Sequence, residues 1–160
     1  AGPALCAQGP LPKVLKLSVL RKKPDKEAAE STGAKVRAAG LRPTRQRIAL
    51  AGLLFRDEDR HVTAEALHEE AAKAGVRVSL ATVYNTLHQF TQAGLLNEVV
   101  VDSGRAYFDT NVGDHQHFYV EEDGALIDIP GDTIAVSNVP NPPKGMAVDR
   151  VDVVVRVKRA

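Results

Sequence analysis

The sequence predicts an α+β chain in which a helical half that ends in a β-hairpin precedes a small strand-rich half. Up to residue 93, segments rich in Ala, Leu, Glu and Lys follow Ser and Thr residues that are suited to begin helices. Beyond residue 95, short runs rich in Val, Ile, Tyr and Phe alternate with turns that contain Gly and Asp, which favours strands. A chain of 160 residues is long enough for two small lobes that share an interface.

The segment from residue 79 to residue 95 has the clearest helical pattern. Its apolar side chains recur at the spacing of a single helical stripe, namely Leu80, Val83, Leu87 and Phe90. Ser79 is suited to cap the first turn, and Gly94 is suited to end the helix in a left-handed conformation. The other faces are expected to carry amides and hydroxyls, namely those of Thr82, Asn85, Thr86 and Gln89.

This polar face predicts contact with double-stranded DNA, because Asn suits paired hydrogen bonds with adenine and Thr can contact the methyl group of thymine. An amphipathic core helix with a neutral surface is the alternative. Between Lys13 and Arg47 there are eleven Lys and Arg against three acids, a net charge of +8 that leaves the rest of the chain near −7. Such a segment suits a polyanion, with a solubilising arm as the alternative, and Arg45 and Arg47 stand at a predicted helix start that favours phosphate.

The rest of the first half follows from caps and turns. Residues 1–25 are predicted to be irregular. Three helices are then predicted, over residues 26–39, 44–55 and 64–74. The short link at residues 76–78 before the helix at 79–93 gives the order of a helix-turn-helix. Strands on either side of Asp102-Ser103-Gly104, at 95–101 and 105–109, predict a hairpin that forms a wing, with simple closure of a sheet as the alternative.

The second half predicts a small dimerisation lobe. Its expected elements are strands at 117–120 and 125–129, a short helix within 131–138, a Pro-rich loop at 140–143 and a terminal strand at 148–158. Such a lobe would barely stabilise itself alone, so we expect a homodimer, which would also supply a second DNA half-site. The predicted division is an irregular segment at 1–25, a winged-helix DNA-binding domain at 26–110 and a dimerisation and regulatory domain at 111–160.

Composition disfavours several classes of protein. The single Cys6 excludes an intramolecular disulfide and a Cys-x-x-Cys pair, which fits a reducing compartment. The apolar run at 151–157 is interrupted by Asp152 and Arg156, so we expect a cytoplasmic protein without a membrane span. A metal-dependent enzyme is the alternative from another class, but neither a Ser-His-Asp set nor a Gly-rich phosphate loop supports it.

The sequence Asp114-His115-Gln116-His117 predicts a metal site, because residues two apart in a strand point to the same face. Two hydrogen-bonded surface histidines are the alternative. Candidate partners are His61, Asp109 and Asp128. Imidazoles and carboxylates suit Fe(II), Mn(II) or Zn(II), whereas the absence of thiolates argues against a closed structural zinc site.

Five segments together resemble the ferric uptake regulator superfamily over roughly residues 35–130. They are Gly40-Leu-Arg-Pro-Thr-Arg-Gln-Arg, His61-Val-Thr-Ala-Glu, Leu80-Ala-Thr-Val-Tyr-Asn-Thr-Leu, Tyr107-Phe-Asp and His115-Gln-His. The helix at 79–90, the sequence Tyr107-Phe-Asp-Thr-Asn-Val and the Pro-Pro-x-Gly before a Val-rich terminus most resemble the iron response regulator branch.

The resemblance implies a dimeric winged-helix regulator of iron and haem genes, or else a metal-dependent peroxide sensor. By motif position, His61, Asp109, His115, His117 and Asp128 correspond to the regulatory metal site in its three-His, two-Asp form, which would hold haem, Fe(II) or Mn(II). Tyr84 and Asn85 fall where family members contact DNA. The complete set of candidate DNA contacts is Arg42, Arg45, Arg47, Ser79, Thr82, Tyr84, Asn85 and His88.

Two departures from the family pattern change the expected cofactors. Val120 and Asp123 stand where the first Cys pair of a structural zinc site would lie, so no structural zinc held by cysteines is expected. Cys6 is not followed by Pro, so haem would have to use His115 and His117, although Gln116 stands where a third adjacent His often occurs.

Overall fold

The computed structural model describes residues 26–160, so the segment predicted to be irregular, with Cys6, lies outside the described residues. The helices of the described part are α1 (Lys26–Ala38), α2 (Arg45–Leu54), α3 (Ala64–Lys73) and α4 (Leu80–Gln92). Its strands are β1 (His61–Val62), β2 (Asn97–Asp102), β3 (Arg105–Asp109), β4 (His115–Val120), β5 (Ala125–Pro130) and β6 (Val154–Val157). The predicted α+β class, with the helices first, is confirmed.

Local signals set the limits of the helices. Thr44, Thr63 and Ser79 each accept a hydrogen bond from the backbone N–H three residues later, at 3.2, 3.2 and 3.1 Å. Gly94 has a φ of +79°, the left-handed conformation that ends α4. These three hydrogen bonds therefore fix where α2, α3 and α4 begin.

Two three-stranded sheets follow from the chain order. The first has the order β1-β3-β2 and is antiparallel, with His61 opposite Asp109. The second has the order β5-β4-β6, in which β4 is antiparallel to β5 and parallel to β6. His117 on β4 lies opposite Asp128 on β5. These two registers, with the short connection from β3 to β4, bring the polar ends of the sheets together.

Two apolar clusters hold these elements. The larger cluster joins the four helices to β1 and β3, and includes Leu87 and Phe90 of α4 and Phe108 of β3. The smaller cluster packs the β2–β3 hairpin on the second sheet, through Val99, Val101, Tyr107 and Tyr119. The hairpin is therefore packed against the second sheet instead of projecting freely.

The prediction of a short helix within 131–138 is wrong. The chain makes a turn at 131–133 and then continues without regular structure. The segment follows Pro130, begins with Gly131 and contains β-branched residues, and its last residue, Asn138, adopts a positive φ of 59°. None of these features favours a helix. The predicted terminal strand is also too long, because only Val154–Val157 pairs with β4.

Three further expectations are corrected by packing. Leu80 is 37% exposed, because the first turn of α4 begins beyond the core. Thr86 is only 4% exposed, because it lies one turn from both Val83 and Phe90 on the buried face. The stretch between α2 and α3, for which no regular element was predicted, contains β1, because His61 pairs with Asp109 far along the chain.

None of the helices in the described part of the chain is long and apolar enough to cross a membrane.

The larger cluster predicts the effect of truncating Leu87. The Leu87→Ala substitution should lower the free energy of unfolding by about 2–5 kcal/mol, because it leaves a cavity among fully buried side chains. Val100→Ala is the control, since Val100 is 62% exposed and its truncation should cost less than about 0.5 kcal/mol. Urea unfolding followed by circular dichroism measures both values, and an equal loss in the two variants would contradict this packing.

Candidate metal centre and candidate nucleic-acid interface

The structure brings all five predicted metal ligands together at the junction of the two sheets. The metal cluster consists of His61, Asp109, His115, His117 and Asp128, and one ligand atom from each lies within 4.8 Å of all the others. β1 and β3 supply the first two residues, β4 supplies the next two, and β5 supplies the last. The cluster therefore spans four strands of two sheets.

Asp109 is the centre of this cluster. Its side chain is fully buried, and its Oδ2 lies 3.1, 2.7 and 3.0 Å from the Nε2 atoms of His61, His115 and His117. Its Oδ1 accepts the backbone N–H of Asn111 at 2.9 Å. Burial opposes the charge, but the hydrogen bond with His117 and the nearby ring of His61 outweigh burial and hold the pKa of Asp109 well below its usual range.

Three ring nitrogens contact one carboxylate oxygen, which is more than hydrogen bonding alone explains. A carboxylate oxygen has about two acceptor sites, so three N–H groups cannot all be well satisfied there. His61 Nε2 is buried and has no hydrogen-bond partner, although it lies 2.9 Å from Asp128 Oδ1. An atom that is buried, polar and unpaired among carboxylates suits a metal ligand.

The ring of His115 is held in the orientation that suits a metal ligand. Its Nδ1 lies 2.7 Å from the carbonyl oxygen of Gly113, which can only accept, so Nδ1 carries the proton. In the neutral ring, Nε2 then directs its lone pair into the cluster. Burial lowers the pKa of His115, but the Gly113 carbonyl and Asp109 raise it by more.

His61 and Asp128 are the two remaining candidate ligands, and both suit a divalent ion. Burial lowers the pKa of His61, and the Asp109 carboxylate beside it raises that pKa by more. Asp128 is the most accessible of the five candidate ligands, with 41% of its side chain exposed, so the cluster is open to solvent on that side. Three imidazole nitrogens and two carboxylate oxygens suit Fe(II), Mn(II) or Zn(II), and binding would release protons, so affinity rises with pH.

Supporting residues around the cluster were not predicted. Arg60, beside His61, forms an ion pair with Glu70, and its backbone N–H donates to the hydroxyl of Thr110 at 2.8 Å. A Cβ on Gly131 would clash with the backbone oxygen of Asp114, so only glycine permits the close approach that places His115. Of the contacts that support the cluster, only the hydrogen bond from the Asn111 N–H to Asp109 could have been expected from the sequence, because an Asp side chain often accepts the N–H two residues later.

The predicted DNA contacts lie on and beside α4. Ser79, Asn85 and His88 are exposed, and Thr82 is half-buried. A cleft between α2 and α4 is lined by Arg42, Thr44, Gln46, Arg47, Thr82, Asn85, Thr86 and Gln89. Arg42 and Arg45 are both exposed, and the first turns of both helices lack acidic residues. The DNA-binding role of these residues remains a prediction.

Two predicted contacts are engaged within the chain. The hydroxyl of Tyr84 donates to Glu65 Oε1 at 2.5 Å, and this hydrogen bond lowers the pKa of Glu65 and raises the pKa of Tyr84. Arg47 donates from Nε and Nη2 to Gln89 Oε1, at 3.2 and 2.8 Å, and from Nη1 to the carbonyl oxygen of Arg42 at 2.9 Å. The sequence did not indicate either contact.

Comparison with known proteins assigns the family. The model of the ferric uptake regulator family matches residues 38–153. The ferric uptake regulation protein of Pseudomonas aeruginosa is 37% identical over 94 residues, which cover 58% of this chain and 70% of that protein. The peroxide-responsive repressor PerR of Staphylococcus epidermidis is 33% identical over 104 residues, which cover 65% of this chain and 68% of that protein.

A solved structure of the ferric uptake regulator from Pseudomonas aeruginosa with manganese is 28% identical to this chain and has a TM-score of 0.59. The match covers 79% of this chain and 96% of that chain. The region matched by the family model begins at the end of α1 and contains the whole metal cluster. The chain belongs to the ferric uptake regulator family.

Proposed function

We propose that this protein is an iron-responsive transcription regulator that binds an operator in double-stranded DNA and controls genes of iron homeostasis and haem biosynthesis. Members of its family are metal-responsive transcription regulators, not enzymes. The observation that carries the proposal is the metal cluster, in which five ligand atoms converge where the helical half meets the second sheet. An ion at this place contacts both halves of the chain at once.

In this proposal, residues 26–110 form the DNA-binding domain, and α4 enters the major groove. Asn85 and Thr82 are suited to base edges, and Arg42 and Arg45 are suited to phosphates on either side. The absence of acidic residues from the first turns of α2 and α4 supports this orientation, because a carboxylate there would repel phosphate. Metal binding at His61 and Asp109 would then set the position of this domain.

Residues 111–160 form the dimerisation and regulatory domain in this proposal. Phe118 and Ile127 lie opposite each other on β4 and β5, are both exposed, and share a face with the partly buried Val155 and Val157. An apolar sheet face of this kind suits association with a second copy of the chain. A symmetric dimer would place two copies of α4 on two half-sites of an operator.

A divalent ion fits the metal cluster better than haem. Haem bound through His115 and His117 would need a ring nitrogen directed at an open, flat cleft. Instead, both Nε2 atoms face Asp109, and all five ligand atoms lie within 4.8 Å of one another, a space that suits an ion but not a porphyrin. Fe(II) and Mn(II) are therefore the proposed ligands, and membership of the iron response regulator branch rests on the motifs alone.

A peroxide-responsive regulator is the second candidate, because a relative of 33% identity has that name and the ligands are three His and two Asp. Brief exposure of Fe(II)-loaded and Mn(II)-loaded protein to hydrogen peroxide distinguishes the two. Loss of DNA binding only in the Fe(II)-loaded protein supports the peroxide response, whereas unchanged binding in both supports the iron response.

Removing one ligand tests the metal centre. His117→Ala should lower Mn(II) affinity at least about 100-fold, because changing outer hydrogen-bond partners of a metal site alone costs about 10–100-fold. Isothermal titration calorimetry at fixed pH measures this change. His68→Ala is the matched control, since the ring of His68 contacts the carbonyl oxygen of Val78, outside the metal cluster. Equal Mn(II) affinity for His117→Ala and wild type would refute the site.

Two substitutions separate base contacts from phosphate contacts. Asn85→Ala should reduce discrimination between operator and mismatched duplex by about 1–3 kcal/mol, because it removes paired hydrogen bonds to a base. Arg45→Ala should weaken binding to every sequence and reduce the slope of log affinity against log salt by about one. Mobility-shift titrations of the Mn(II)-loaded proteins at several salt concentrations measure both effects. Unchanged discrimination in Asn85→Ala would remove Asn85 from the base contacts.

A further inference from the structure

Gln89 lies in the cleft between α2 and α4. It belongs to the polar face predicted from the sequence, but it was not one of the eight candidate DNA contacts. It is one helical turn beyond Asn85 and two turns beyond Thr82, so these side chains share one side of α4. All three line the cleft. Gln89 therefore stands in the row of polar side chains that faces DNA in the proposed function.

Arg47 determines which end of the Gln89 amide is free. Its Nε and Nη2 both contact Oε1 of Gln89, at 3.2 and 2.8 Å. A guanidinium only donates hydrogen bonds, so the contacted atom must be the amide oxygen and not the amide nitrogen. Two donors from one planar group therefore hold the amide oxygen of Gln89 from one side. The amide N–H groups of Gln89 have no hydrogen-bond partner in the described part of the chain, so they are the groups free to contact DNA.

The same guanidinium is also anchored at its other end. Nη1 of Arg47 donates to the carbonyl oxygen of Arg42 at 2.9 Å, so all three nitrogens of the guanidinium have partners within the chain. Arg47 thereby links the loop before α2 to the middle of α4. In contrast, Arg45 is exposed at the start of α2. The contacts of Arg47 suit a strut between two elements more than a phosphate contact.

We propose that Gln89 is a specificity-determining residue that presents its amide N–H groups to DNA, and that Arg47 is the positioning residue that holds the amide oxygen and so fixes this orientation. A free Gln amide pairs with adenine, because it donates to N7 and accepts from the amino group. With its oxygen occupied, Gln89 favours guanine, whose O6 and N7 both accept. The inference rests on the proposed DNA-binding function and adds the base class that one position of α4 selects.

The test is selection of binding sites from a randomised duplex library by the Mn(II)-loaded full chain. Wild type, Gln89→Ala and Arg47→Met are compared, with Arg45→Met as the matched arginine control. Gln89→Ala should lose a guanine preference of about 5- to 150-fold at one operator position. Arg47→Met should lower the guanine-to-adenine ratio at that position and keep the wild-type salt slope. Arg45→Met should keep the ratio and reduce the slope by about one.

Arg47→Lys serves as a second variant, because it keeps the charge but lacks the planar fork, and it should also lower the guanine preference. Thermal unfolding and Mn(II) titration of each variant establish that the fold and the metal centre are intact. An unchanged base preference in Gln89→Ala would overturn this inference but leave the proposed DNA-binding function standing. A reduced salt slope with unchanged preference in Arg47→Met makes Arg47 a phosphate contact and overturns its positioning role. If wild type enriches no sequence, the proposed function fails as well.

Discussion

The arrangement of the two sheets depends on the buried carboxylate of Asp109. This carboxylate ends β3, carries a negative charge without contact with water, and has its partners on both sheets, His61 on one and His115 and His117 on the other. A buried charge that loses its partners costs several kcal/mol, so the sheets cannot separate at this point without an energetic penalty. Protons on the histidines can balance this charge, and a divalent ion balances it with better geometry, since the Gly113 carbonyl holds one proton of His115 on Nδ1 and the Nε2 of the neutral ring can then bind an ion.

The position of β3 explains how the metal cluster is connected to α4. Phe108 precedes Asp109 in the same strand, is fully buried in the helical cluster, and has its ring 5.6 Å from the ring of His88 on α4. On the other side of the strand, Tyr107 donates to the carbonyl oxygen of Gly124 at 2.6 Å and so holds the hairpin on the second sheet. A displacement of Asp109 therefore moves residues that pack directly against the helix proposed to read DNA. The connection needs no long chain of intermediates, because one strand carries both contacts.

Local features made most of the fold predictable, whereas long-range contacts did not. Caps and helix-ending glycines act within a few residues, so the four helices and the hairpin were predicted with small shifts at their ends. The convergence of the five candidate ligands was predictable because the spacing of His115 and His117 follows from strand geometry and the family motifs supplied the rest. The pairing of His61 with Asp109, the burial of Thr86 and the close approach of Gly131 to Asp114 depend on residues far apart in the sequence. The side-chain orientation of Gln89 likewise depends on an arginine 42 positions earlier.

In the proposed function, one divalent ion binds among these five side chains and thereby joins the two sheets. The most direct test is a crystal structure of the Mn(II)-loaded protein with anomalous diffraction data collected at the manganese absorption edge. An anomalous peak is expected between the Nε2 atoms of the three histidines and the carboxylates of Asp109 and Asp128. Manganese bound elsewhere in the chain, with the five side chains still in contact only with one another, would contradict it.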